Sequence, residues 1–255
     1  MKKITIIFIC LICTCNIFAQ NSALSEFDLN FKLDSILAES DLLYKYEKSA
    51  WLSTDYAVGN PFIREKMGRQ HFTYEYSDGI KTIILNSEHD KVVAEYHFKN
   101  NFDALDSYSV IERNLTELES KLISTRNNIL NKIISERKYD IFSPIPRGFA
   151  LNFVLIPFGE KYKFYILTGT TLNKIIPFGN DFLFITDQDG NVESWQKFHS
   201  RFLAMQTEID GEKVLNSIHS HLETTPFITA TEIATFKLYA PLYDIPSFSI
   251  LSTAL

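Results

Sequence analysis

Three features of the 255-residue sequence predict an α+β fold. Apolar residues recur at helical spacing in two segments, roughly 29–57 and 105–137. Short apolar runs separated by turn residues lie between them, and the chain is strand-rich beyond Ser143-Pro144-Ile145-Pro146. The expected order is helix, antiparallel meander, helix, then an α/β part with a mixed sheet. The expected divisions are a leader at 1–20 and domains at 21–140 and 141–255.

The leader comes first. Lys2 and Lys3 precede an apolar run from Ile4 to Cys15, and Ala19 stands where a small residue would precede cleavage. A cationic start, an apolar core of about a dozen residues and a small residue near the end make a secretory signal. The run is shorter than the ~18 residues that cross a bilayer, so no membrane span is expected after cleavage. Thr14 stands where a lipoprotein signal would carry a smaller residue before Cys15, which disfavours a lipid anchor. The protein is therefore expected in the periplasm or outside the cell. Its cysteines, Cys10, Cys13 and Cys15, all lie in the leader, so the mature chain must hold together through its core without disulfides. Losing Lys2 and Lys3 leaves 23 basic against 31 acidic residues, with no basic run, which excludes nucleic acid as the expected partner. The composition leaves oligomeric state open.

Leu33, Ile36, Leu37, Leu42, Leu43 and Tyr46 give the first helix its apolar face. His71–Tyr76, Lys81–Leu85 and Val92–Phe98 read as strands, with Asp78-Gly79 and Glu88-His89-Asp90 as turns. Ile111, Leu115, Leu118, Leu122, Ile129 and Ile133 mark the second helix. Beyond the proline break, Ala150–Phe158 and Tyr162–Leu167 read as strands. Phe182–Thr186 and Val192–Trp195 flank Asp187-Gln188-Asp189-Gly190-Asn191, which reads as a hairpin turn; it lacks the glutamate of a calcium loop. Val214–Ile218 is a further apolar run.

The segment 219–233 carries the candidate chemistry. His219 and His221 stand at i and i+2 at the end of that run. Strand side chains alternate, so both rings face one side with Cα atoms about 6.6 Å apart, close enough to share one ion. Glu232, at the start of a following amphipathic helix, is placed to supply a carboxylate. The pattern is His219-Ser220-His221, seven residues, Thr229, two residues, Glu232. In its spacing it resembles the metal-binding motif of the JAMM (MPN/JAB1) metallopeptidases, with Thr and Glu where the family has Ser and Asp, and Leu222 where it usually has Pro. A strand before the pair, a helix after it and a strand at Ser247–Leu251 extend the likeness. The resemblance implies zinc on His219, His221 and Glu232, with the Thr229 hydroxyl at the oxyanion. It also implies a general-base glutamate upstream, for which Glu160 is the candidate ahead of Glu193 and Glu208. The implied activity is zinc-dependent hydrolysis of peptide or peptide-like amides outside the cytoplasm.

Plainer readings stand beside it. Thr229-Ala230-Thr231-Glu232 is also a capping box, which accounts for Thr229 and Glu232 without a metal. His199 reads as a hydrogen-bonded structural histidine. A non-catalytic binding or structural protein with a degenerate module is the rival function. No nucleophile elbow, P-loop or dinucleotide fingerprint is present.

Overall fold

The computed structural model describes residues 26–142 and 145–252. The leader with its cysteines, and Ser143 and Pro144 of the break, lie outside the described residues. No helix among them is long and apolar enough to cross a membrane. The architecture is α+β.

Helix α1 (Glu26–Gly59) buries Ser40, Leu43, Tyr46, Ser49, Ser53 and Ala57, a stripe at three- and four-residue spacing that is small enough to lie close to a sheet. Short α2 (Pro61–Lys66) leads into β1 (Met67–Tyr76), β2 (Gly79–Asn86), β3 (Lys91–Phe98) and β4 (Ser107–Asn114). These form an antiparallel meander in the order β1-β2-β3-β4. Helix α3 (Glu117–Ser135) follows, and a 3-10 turn at Arg137–Tyr139 ends the first half.

The helix expected over 105–137 is thus β4 and a shorter α3. Ser107–Asn114 satisfies the open edge of β3, pairing Tyr108 with Tyr96 and Val110 with Ala94. Most of β4 is solvent-exposed, so no buried face advertises its period, and Ile111 mimics a helical position. The helix begins where Thr116 caps it: Thr116 Oγ1 accepts from Glu119 N at 3.2 Å, and Glu119 Oε2 accepts from Thr116 N at 2.8 Å.

The second half contains β5 (Phe149–Phe158), β6 (Lys161–Thr170), β7 (Ile175–Gly179), β8 (Phe182–Thr186) and β9 (Val192–Lys197). It continues with β10 (Phe202–Gln206), β11 (Glu208–Ile209), β12 (Glu212–Lys213), β13 (Ile218–Ser220), α4 (Ala230–Tyr239), a 3-10 turn at Ala240–Tyr243 and β14 (Ser249–Leu251). Strands β5-β6-β8-β9 make an antiparallel sheet, β7 pairs with β10, and β11 with β12. Among the described residues, parallel pairing is confined to β13 and β14. Residues 214–217, expected as strand, lead into β13 outside any ladder, held by Val214 N donating to Thr207 O at 3.0 Å and Ser217 O accepting from Ser249 N at 2.8 Å. The predicted hairpin turn joins β8 to β9, with Gly190 at φ 77° and Asp187 Oδ1 accepting from Asn191 N at 2.8 Å.

The central strands β2 and β6 bury side chains on both faces of their sheets. Along β6, Phe164 and Ile166 enter a core with Leu122, Ile129 and Ile133 of α3, while Tyr165 and Leu167 enter another with Leu43 and Tyr46 of α1 and Ala234 of α4. Ile83 and Ile84 of β2 divide in the same way. Each core therefore draws on both halves of the chain, so the expected division at 140/141 does not separate two cores. Each fully buried Ile, Leu or Phe here contributes about 1.5–3 kcal/mol. This packing of helices on both faces of the sheets fixes where the ends of β8, β9 and α4 meet.

Candidate metal centre

The site is assembled from three places. The open end of the β8–β9 hairpin supplies Asp181 and His199, since Phe182 pairs with Lys197 and Phe198 N donates to Asp181 O at 3.1 Å. Strand β13 supplies His219, and His221 follows it with its N–H donated to Leu251 O at 3.0 Å, which continues the ladder with β14. Glu232 lies in the first turn of α4. As the i, i+2 spacing predicts, the His219 and His221 rings are on one side, with centroids 5.3 Å apart.

All three imidazoles converge on one carboxylate oxygen. Glu232 Oε1 lies 2.6 Å from His219 Nε2, and 3.0 Å from Nε2 of both His199 and His221. The four ligand atoms lie within 4.8 Å of one another, and this group can hold a metal ion. A tetrahedral shell with bonds of 2.0–2.1 Å separates its ligands by about 3.4 Å, which lies between the 2.6–3.0 Å carboxylate–imidazole distances and the 4.8 Å limit of the set. Two outer nitrogens are already held: His199 Nδ1 by Asp181 Oδ1 at 2.6 Å, and His221 Nδ1 by Thr225 O at 3.0 Å. Protons on those Nδ1 atoms leave the Nε2 lone pairs facing the centre, the arrangement that orients imidazole ligands. Thr231 Oγ1 in turn donates to Asp181 Oδ2.

Without an ion, the cluster is held by charge. Burial opposes ionisation of Glu232, yet the three imidazoles hold its carboxyl well below the usual carboxylate range. Burial also opposes charge on His199, but Asp181 and Glu232 outweigh it and push the imidazole up to about 10. His221 is raised as well, burial being outweighed by Glu232. A metal would replace these protons as the positive partner of Glu232.

The capping and ligand readings of Glu232 are both realised, on different oxygens. Oε2 accepts from Thr229 N at 2.8 Å and from Thr229 Oγ1 at 2.9 Å, while Oε1 faces the histidines. The Thr229 hydroxyl is buried in this cap and against Thr231, so it is a helix cap and does not take the oxyanion position the resemblance implied. Glu160 is not at the centre. It is exposed in the β5–β6 turn, beyond the Tyr162–Thr186 pair, whereas Asp181 adjoins the Ile166–Phe182 pair. Four strand residues separate those pairs, roughly 13 Å. Glu193 pairs with Lys161 and Glu208 with Lys174, so neither replaces it.

His199 joins the centre as a fourth potential ligand, where a structural role was expected. The hairpin that carries it was legible; the meeting of its open end with β13 was not. A cavity of about 250 Å³ opens on the imidazole side, lined among others by Phe198, His199, Arg201, His219 and His221. The fold and site define an α+β protein with a buried cluster of three histidines and one glutamate of metal-binding type. No protein-family model, curated protein or solved structure matches this chain.

Proposed function

We propose that this is an exported metalloprotein in which Nε2 of His199, His219 and His221 and Oε1 of Glu232 hold zinc. The observation that carries the reading is the convergence of three imidazole nitrogens on one carboxylate oxygen, with two rings already anchored from behind. An N₃O donor set suits zinc, although iron, cobalt and nickel share the preference. When bound, such an ion supplies Lewis acidity and brings the pKa of a coordinated water towards ~7. The chain's own part is orientation: Asp181 and Thr225 O fix the imidazoles, and Thr229 fixes the glutamate.

The cavity on the imidazole side supports a second reading, zinc-dependent hydrolysis of a peptide or peptide-like amide outside the cytoplasm. Its lining contains no carboxylate, which favours the binding role over turnover. Elemental analysis of the purified chain without its leader is the test. One ion per chain is expected, and none in a His219→Ala/His221→Ala variant shown by circular dichroism to be folded. Equal background metal in both would overturn the reading. Release of amines from a peptide library by the metal-loaded chain decides between binding and hydrolysis.

A further inference from the structure

Strands β1 and β5 approach edge to edge without pairing, so the two sheets leave a cleft between them, covered by α1 on one face and α3 on the other. It encloses about 270 Å³. A second chamber of about 570 Å³ shares Glu47, Ala50, His71 and Asn152 with it and runs to Trp51 and Tyr239. This space shares no lining residue with the cavity over the histidine cluster.

Its polar groups are held in place but incompletely matched. Glu47, on α1, accepts from Asn152 Nδ2 at 2.6 Å and has no cationic partner among the described residues. Gly169, opposite Ala150 on the β5–β6 ladder, makes room for that amide, since a Cβ there would stand 3.1 Å from Asn152 Nδ2. Across the cleft, Arg126 of α3 donates to His71 O at 3.2 Å, to Gln70 Oε1 at 3.0 Å and from two nitrogens to Asn127 Oδ1 at 3.3 Å, all neutral acceptors, and its guanidinium lies 5.2 Å from the centre of the Phe72 ring. No carboxylate among the described residues pairs with Arg126 or with Arg69 beside it. The His71 ring makes no hydrogen bond among them. Burial pushes the Glu47 carboxyl up to about 7, as expected of a group that lacks a charged partner. Phe153, Leu130 and Leu151 supply an apolar wall.

A carboxyl on one wall and a guanidinium on the other, each hydrogen-bonded only to neutral groups among the described residues, are the complement of a small zwitterion. We propose that the β1–β5 cleft binds a free amino acid or short peptide, its amine on Glu47 and Asn152, its carboxylate on Arg126, and its side chain against Phe153 and Leu130. The second chamber accommodates extension past Trp51 and Tyr239. Guanidinium recognition of a carboxylate and carboxylate recognition of an ammonium are both charge-assisted and each contributes strongly in a desolvated site.

Calorimetric titration of the metal-loaded chain tests this, using the common free amino acids, with L-phenylalanine, phenylalaninamide and N-acetyl-L-phenylalanine as the diagnostic set. Saturable binding of at least one amino acid is expected, and loss of either its amine or its carboxylate should weaken it about tenfold or more. Glu47→Gln should abolish the penalty for acetylating the amine, and Arg126→Gln the penalty for amidating the carboxylate. The comparison among ligands on the unaltered chain stands even if a variant folds poorly. No saturable binding of any free amino acid up to about 10 mM, or equal binding of the three phenylalanine forms, overturns the proposal.

Discussion

The same capping device opens α3 and α4, with different partners. In each, a threonine at the helix start and a glutamate three residues on satisfy one another's backbone N–H. In each, the glutamate is buried and also takes positive partners. Glu119 accepts from Arg113 at 2.7 and 2.8 Å and from Tyr74 Oη at 2.8 Å, whereas Glu232 accepts from three imidazoles. Arginine keeps its charge at any physiological pH, so the first cluster is a fixed ion pair. Imidazoles exchange their protons near neutrality and bind metals when neutral, so the second can change its positive partner. The difference teaches that a capping box by itself carries no function; the residues delivered to its free oxygen decide it.

The sharpest way to break this comparison is to remove each glutamate in turn. Glu119→Ala removes the cap of α3, the acceptor of Tyr74 and one of the two carboxylates that hold Arg113, Glu95 remaining at 2.6 Å, and should cost about 3–5 kcal/mol in urea unfolding, with or without chelator. Glu232→Ala should cost about 1–2 kcal/mol in the metal-free chain, chiefly the lost cap, because Asp181 remains as the partner of His199 and the other imidazoles can be neutral. Equal losses with chelator present would mean that the two clusters do the same structural work.

Metal itself separates them next. Zinc at about a thousand times its dissociation constant should stabilise the chain by about 4 kcal/mol, read as a rise in melting temperature. Glu232→Gln retains a capping side chain but loses the charge, and should lose most of that rise, while Glu119→Gln keeps it. An undiminished rise in Glu232→Gln would place the ion elsewhere.

Acid should act on Glu119. Burial opposes its charge, but hydrogen bonds from Arg113, Thr116 and Tyr74 hold it down at about 2, below the 4.5 of an ordinary glutamate. A depressed carboxyl contributes stability that is fully present above its unfolded pKa and is lost as pH falls through its folded one. About 2–3 kcal/mol should therefore disappear between pH 4.5 and 2, and a Glu119→Gln variant should lack that part of the acid transition.

The smallest expected effect has the opposite sign. Glu47 is raised by burial to about 7, so it favours the folded state only while protonated, and the chain should lose about 1–2 kcal/mol as pH rises from 4.5 to 7. Arg69, His71 and Arg126 line the cleft with it, Asn152 is its hydrogen-bond partner, and Asp55 lies in the adjoining chamber. Glu47→Gln should flatten that slope in unfolding measurements at constant ionic strength. A slope unchanged in the variant would mean that Glu47 carries a normal charge.

Much of this was legible in the residues. The meander, α1, the β8–β9 hairpin and the cap of α4 follow from periodicity and turn chemistry that act within a few residues. The pairing of His219 with His221 followed from strand alternation alone. Strand β4 was misread because an exposed edge strand has no buried face to set its period, and its place is decided by the open edge of β3. His199 was discounted because a lone histidine has no local signature. The short ladders β7–β10 and β13–β14 were not anticipated as pairs, since their partners lie far apart in sequence.

The sequence by itself determined the α+β class, the capping box of α4 and the same-side histidine pair, because each rests on backbone geometry repeating over two to four residues. Only the tertiary structure decided that one oxygen of Glu232 caps a helix while the other meets three imidazoles, that Glu160 and Thr229 stand outside the positions first given to them, and that two sheet edges stop short of pairing around Glu47. Those outcomes depend on which surfaces pack together. The cores that bring β8, β9, β13 and α4 to one point draw their apolar residues from both halves of the chain, so no segment of it encodes the meeting alone.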